Sequence, residues 1–166
     1  MTRTGSWLAL AGLIVAVDQL TKYCVSRTLA LGQSVILTPF FNLVLVHNPG
    51  AAFSFLSDQP GWQRGFFIAM ALVASVWIVC LLARHARARL FALALTLVLA
   101  GAVGNVIDRI LIGAVVDFLD FHAFGFHWPA FNVADSSITC GAVLLAWDAL
   151  RPKQKDEGGR MKEGGV

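Results

Sequence analysis

Four aspartates, Asp108, Asp117, Asp120 and Asp135, fall close together in a chain that is 57% hydrophobic and only 14% charged. A carboxylate within or beside a membrane span is costly to place, so a cluster of them marks a functional site by default. Two carboxylates within hydrogen-bonding reach do not both ionise easily and tend to hold one proton between them. One member is then a base and the other an acid. Such a pair can activate a water and protonate a leaving amine, which is peptide-bond hydrolysis without a metal or a covalent intermediate. At a membrane edge it would meet water from one side and a lipid-embedded substrate from the other. Asp120 taken alone reads as a solvated loop residue.

The elements that must position these groups are apolar. An average soluble domain is roughly 25% charged, so this composition describes a membrane protein. The fold class expected is an all-α membrane protein with four transmembrane helices, about 6–24, 65–83, 90–108 and 132–150, and a small β-rich outer-face loop after the first helix. The run Trp7 to Val17 follows Arg3 as in a secretory signal, but no small-residue cleavage site comes after it and three further apolar segments do, so it reads as a retained span. Gly101 and Gly104 in the third span allow another helix to approach closely. In the loop 32–60, Gly32, Pro39, Pro49, Gly50 and Pro60 interrupt every apolar run. Phe40 to His47 reads as strand, Asn48-Pro49-Gly50 as a turn, and Ala51 to Leu56 as one or two turns of amphipathic helix at the interface. The segment Ile110 to Trp128 is too short and polar to cross. Residues 1–150 are expected to form one integral membrane domain, and 151–166 a disordered tail.

The formal charge of +3 is small and its basic residues are bunched between apolar runs, which suits topology signals and excludes a nucleic-acid surface. Arg3, Arg84, Arg87, Arg89, Arg151, Lys153, Lys155, Arg160 and Lys162 fall on the side of the termini, against Lys22, Arg27, Arg64 and Arg109 on the other. The positive-inside rule makes the termini cytoplasmic and puts the Asp117 segment and the Asn48 turn together on the outer face. Counting back from the cytoplasmic ends places Asp135 ~24 Å, Asp108 ~27 Å and Asp18 ~20 Å into a ~30 Å core, so three helix ends converge on one acidic pocket. Asp18 and Lys22, four residues apart on one helical face, can pair and stabilise the helix end near the headgroups. Cys24, Cys80 and Cys140 have no zinc-clip spacing and read as packing residues; His47 and His85 read as a loop residue and part of the basic turn.

The residues resemble the bacterial lipoprotein signal peptidases, or signal peptidase II, over nearly the whole chain. Asp18 to Lys22 is similar to the family's polar end of helix one, and Asn48-Pro49-Gly50-Ala51-Ala52-Phe53 to its Asn-x-Gly-x-x-Phe turn. Gly104 to Arg109, Val116-Asp117-Phe118 and Phe131 to Asp135 resemble its three later motifs. The resemblance implies an aspartic endopeptidase of the bacterial inner membrane whose catalytic pair maps onto Asp117 and Asp135. Its substrate would be a prolipoprotein carrying diacylglycerol on a cysteine, cut just before that cysteine, within surrounding membrane lipid. Asn48, Gly50, Asn105, Arg109 and Asn132 would hold substrate backbone or orient the carboxylates, while Asp18 and Lys22 brace the fold. The cyclic peptide globomycin would occupy the same pocket, and no cofactor or metal is implied.

Other readings fit the residues less well. A metallopeptidase would draw on Asp117, Asp120, His122, His127 and Asp135, but there is no His-Glu-x-x-His helix and the two histidines flank a Gly-containing loop. A proton-coupled transporter would place carboxylates near the midplane on broken helices related by a repeat, and the chain has no repeat. A purely structural subunit leaves Asp135 without a reason.

Overall fold

The computed structural model describes residues 2–50 and 61–151. In chain order the elements are α1 (Arg3–Thr28), β1 (Ser34–Thr38), β2 (Phe41–Asn48), α2 (Trp62–His85), α3 (Arg89–Leu111), β3 (Val115–Ala123), β4 (Phe126–His127) and α4 (Val133–Leu150). The amphipathic turns expected at 51–56 and the tail expected at 152–166 lie outside the described residues. All four helices are long and apolar enough to cross a membrane. Three of them run several residues beyond the expected spans. For α1 the start is set by Thr2, whose hydroxyl accepts the Gly5 N–H, and the end by Val25 and Leu29, which are buried under the sheet.

Helix α3 is the most enclosed of the four, and α1, α2 and α4 pack on it. Small residues make that possible. A Cβ at Gly101 would overlap the Ala134 carbonyl, and one at Gly104 would come within 2.7 Å of Asp18 Oδ2. Both glycines therefore serve close helix approach, as their spacing implied. The main apolar core, with Leu82, Ala92, Leu95 and Ala100, fills the space between α1, α2 and α3.

Above the helices lies one four-stranded antiparallel sheet of order β1-β2-β3-β4. The sequence placed strands only after the first helix, whereas half of the sheet comes from the segment between α3 and α4. There Val116 and Phe118 pack with Val25, Leu29 and Leu45. The β2–β3 register sets Asn42 opposite Asp120 and Val46 opposite Asp117. Cys24, Cys80 and Cys140 correct another expectation: all three are free and exposed instead of packed in the core.

Candidate active site

Asp117 projects from β3 and Asp135 from the first turn of α4, and one side chain, Asn132, engages both residues. Asn132 is the N-cap of α4: its Oδ1 accepts the Asp135 N–H at 2.8 Å. Its Nδ2 donates to Asp117 Oδ1 at 2.7 Å and to the Val116 carbonyl at 3.1 Å. Asn105, on α3, donates to Asp135 Oδ1 at 2.8 Å, and Asn48, at the end of β2, donates to Asp117 Oδ2 at 3.2 Å. The Asn48 Oδ1 in turn accepts the Gly50 N–H at 3.0 Å, closing the turn its sequence implied. Each carboxylate is thus aimed by amides from other elements.

The two aspartates differ in setting. Asp117 is almost fully enclosed, and burial together with the charge of Asp135 pushes its pKa up to about 7 against the bonds from Asn48 and Asn132 and the charge of Lys22. Asp135 is half-buried, and its Oδ2 has no hydrogen-bond partner among the described residues. Arg109 stands beside the pair with its guanidinium stacked 5.0 Å from the Phe67 ring centroid. It donates to Gly50 O at 2.6 Å and to Asn105 O at 3.4 Å. Its Nε is buried without a partner among the described residues.

Beneath the pair lies an ionic network. Lys22 Nζ is 2.8 Å from Asp18 Oδ2 and 2.8 Å from Asp108 Oδ2, and donates to Asn105 Oδ1 at 3.1 Å. Asp18 and Lys22 do pair, but not at a headgroup-facing helix end: both are buried at the base of the site. Removing two charges from water is costly, so the enclosure is tolerated only because the remaining acceptors are used. Asp18 Oδ1 takes the Ala134 N–H at 2.8 Å, and Asp108 Oδ2 takes the Val116 N–H at 3.1 Å. Gln19 Nε2 bridges them, reaching Asp108 Oδ1 at 2.9 Å and Asp18 Oδ2 at 3.2 Å. Sequence reasoning put Asp108 in the acidic pocket without a role and gave Gln19 none. Their signal was position alone, next to Asp18 and inside the Gly104–Arg109 motif.

Asp120 overturns its expected role as a solvated loop residue. It is buried on β3, where Asn42 donates to it at 2.8 Å and His127 Nδ1 lies 3.0 Å away. Burial raises its pKa, but the His127 and Asn42 bonds outweigh that and hold it below the usual carboxylate value. His122 stacks on His127 with ring centroids 4.8 Å apart. This cluster belongs to the sheet and shares no hydrogen bond with Asp117 or Asp135 among the described residues. Nor do any three His, Cys, Asp or Glu side chains among those residues meet in a metal-holding arrangement.

The family model for signal peptidase (SPase) II matches residues 10–151. The lipoprotein signal peptidase of Janthinobacterium sp. (strain Marseille) is 56% identical over 145 residues, covering 87% of this chain and 88% of that protein. That of Cupriavidus necator is 58% identical over 145 residues, covering 87% and 83%. Among solved structures, a bacterial membrane enzyme determined by the in meso method at 2.3 Å superposes with a TM-score of 0.79 at 37% identity, covering 92% of this chain and 94% of its own. A second, at 1.9 Å, gives 0.80 at 34% identity, covering 90% and 95%. Because the matched residues take in every side chain of the carboxylate network from Asp18 to Asp135, the chain belongs to the signal peptidase II family of aspartic-type membrane proteases.

Proposed function

We propose that Asp117 and Asp135 are the catalytic pair of an endopeptidase that removes the signal peptide from diacylglyceryl-modified prolipoproteins, cutting just before the lipid-bearing cysteine. The observation that carries the assignment is Asn132, which aims one aspartate through its side chain and the other through its backbone. Asp117, with its raised pKa, serves as the acid of the pair, and Asp135, whose Oδ2 is free of hydrogen bonds among the described residues, as the base. Asp135 takes a proton from water as the water oxygen attacks the scissile carbonyl, and Asp117 gives its proton to the developing oxyanion. When the C–N bond breaks, Asp135 passes its proton to the leaving nitrogen and Asp117 recovers one from the diol, restoring the starting state.

Asn48, Asn105 and Asn132 orient the pair, Gly50 seats Arg109 through its carbonyl, and Arg109 presents its unsatisfied Nε to a substrate carbonyl. Asp18 and Lys22 brace the helices that carry them. Residues 1–150 act as one membrane domain in the bacterial inner membrane with cytoplasmic termini and an outer-facing site. Lys22 and Arg109, both on the site side, are buried in the network, which leaves Arg27 and Arg64 as the surface cations there against the many at the terminal side. Globomycin would compete for the same pocket.

The reading is tested by incubating purified enzyme with a diacylglyceryl-modified prolipoprotein, with and without EDTA and globomycin. Release of the signal peptide, unaffected by EDTA and blocked by globomycin, is expected. Loss of cleavage in EDTA with rescue by zinc would assign the carboxylates to a metal instead. Cysteine labelling adds the topology: a cysteine at Ala86 should react only from the cytoplasm and one at Ala123 only from outside.

A further inference from the structure

Helices α1 and α2 each pack on α3 and scarcely on each other, which leaves a seam open between them. Within the membrane the seam is an apolar groove of about 510 Å³, lined among others by Leu8, Gly12 and Val15 of α1, Val76 and Cys80 of α2, and Val103 of α3. Nearer the chain termini lies a second cavity of about 350 Å³, separate from the groove and bounded by Arg3, Arg84 and Arg87. The two follow one another along the same helices: Ala83 of the basic cavity lies three residues beyond Cys80 of the groove. Trp7 Nε1 donates to Ala86 O at 3.1 Å and ties α1 to the α2–α3 connection at this level.

None of the three guanidiniums makes an ion pair or hydrogen bond among the described residues, and no carboxylate lines either cavity. Three like charges around one cavity repel unless an anion joins them. The positive-inside rule accounts for arginines at this end of the bundle, but not for three of them lining one cavity next to an apolar groove. Cavity and groove together also have a defined length. From Arg3 to Val15 is ~18 Å of helix, close to one leaflet's share of a ~30 Å core and too short for a spanning helix.

We infer that this seam binds one anionic phospholipid of the leaflet on the side of the chain termini. Its phosphate sits among Arg3, Arg84 and Arg87, and one acyl chain lies in the groove. Basic pockets between membrane helices take acidic lipid headgroups by the same pairing, since guanidinium donors match phosphate oxygens. The site stands at the far end of the helices from Asp117 and Asp135 and does not depend on their catalytic assignment.

The test uses the purified full-length protein in a neutral detergent, with melting temperature and intact-complex mass spectrometry as readouts. Phosphatidylglycerol should raise the melting temperature by at least about 3 °C and persist as a single-lipid adduct, whereas phosphatidylcholine and inorganic phosphate should do neither. The Arg84→Gln, Arg87→Gln double variant should lose the increment. Gly12→Leu separates a built site from diffuse surface charge, because Gly12 lines the groove and a Cβ there meets nothing within 4 Å, so the larger side chain takes up groove space. Leu for Gly stabilises a helix in its own right, so the lipid-dependent increment is compared, and it should fall to near zero with all arginines present. An equal shift with both lipids, an increment that survives Gly12→Leu, or one reproduced by inorganic phosphate would each overturn the inference.

Discussion

Asp18 Oδ1 accepts the backbone N–H of Ala134 at 2.8 Å, so a carboxylate in the first helix holds the residue just before Asp135. Asp108 Oδ2 does the same for Val116, the residue just before Asp117. Lys22 joins the two carboxylates, and so ties the positions of the proposed catalytic residues to one ammonium. Lys22→Met should leave two buried carboxylates unpaired, costing about 3–5 kcal/mol and lowering the melting temperature by roughly 6–20 °C. Calorimetry in detergent checks this, and an unchanged transition would reduce the network to a passive filler.

Asp18 offers a finer test of positioning. Asp18→Asn keeps an oxygen for the Ala134 N–H, while Asp18→Ala removes it. Turnover should fall in the order wild type, Asn, Ala, with kcat affected more than KM because substrate contacts remain. Equal kcat values for the two variants would show that the Ala134 contact positions nothing.

Close approach of α3 to α4 rests on Gly101, where a Cβ would overlap the Ala134 carbonyl. Gly101→Ala should therefore cost about 1–3 kcal/mol by overpacking. Gly12→Ala, which meets nothing within 4 Å, should be neutral or stabilising. Thermal melts of the two single variants distinguish them.

The pH dependence of stability follows from Asp117. An unfolded Asp ionises near 3.8 and the folded one near 7, so between those values the native state holds a proton that the unfolded chain has released. Stability therefore falls as pH rises through this window. Asp117→Asn, which never ionises, should melt higher than wild type at pH 8 and show a shrinking advantage as the pH drops towards 4. Asp120 carries the opposite sign: its depressed pKa stabilises above the usual carboxylate range, a contribution lost as pH falls through its folded value. Asp120→Asn should thus be destabilised at neutral pH and converge on wild type in acid.

The four helices were legible because each is a long apolar run, and the Asp18–Lys22 pair because four residues is one helical turn. The segment 110–128 was judged only by its inability to cross, and its strand β3 went unread. Its partner β2 lies on the far side of two helices, and the register that sets Asn42 against Asp120 depends on that pairing. For the same reason Asp120 passed for a loop residue, and Asp108 had no evident task until β3 turned Val116 back towards it. Lys22 was counted as a surface charge because burial at the base of a bundle leaves no mark in local sequence.

The dyad is tested most directly by cleavage of a diacylglyceryl-modified prolipoprotein by Asp117→Asn, Asp135→Asn, the double variant and Asp120→Asn, each first shown to be folded by its melting transition. An amide cannot exchange a proton as acid and base, so both single variants should lose turnover, with the double no worse than either, since groups acting as a unit are not additive. Asp120→Asn, which perturbs the sheet but touches neither proposed catalytic residue, should retain turnover within a few-fold of wild type. Substantial cleavage by Asp117→Asn or Asp135→Asn, or a folded but inactive Asp120→Asn, would contradict the assignment of the pair.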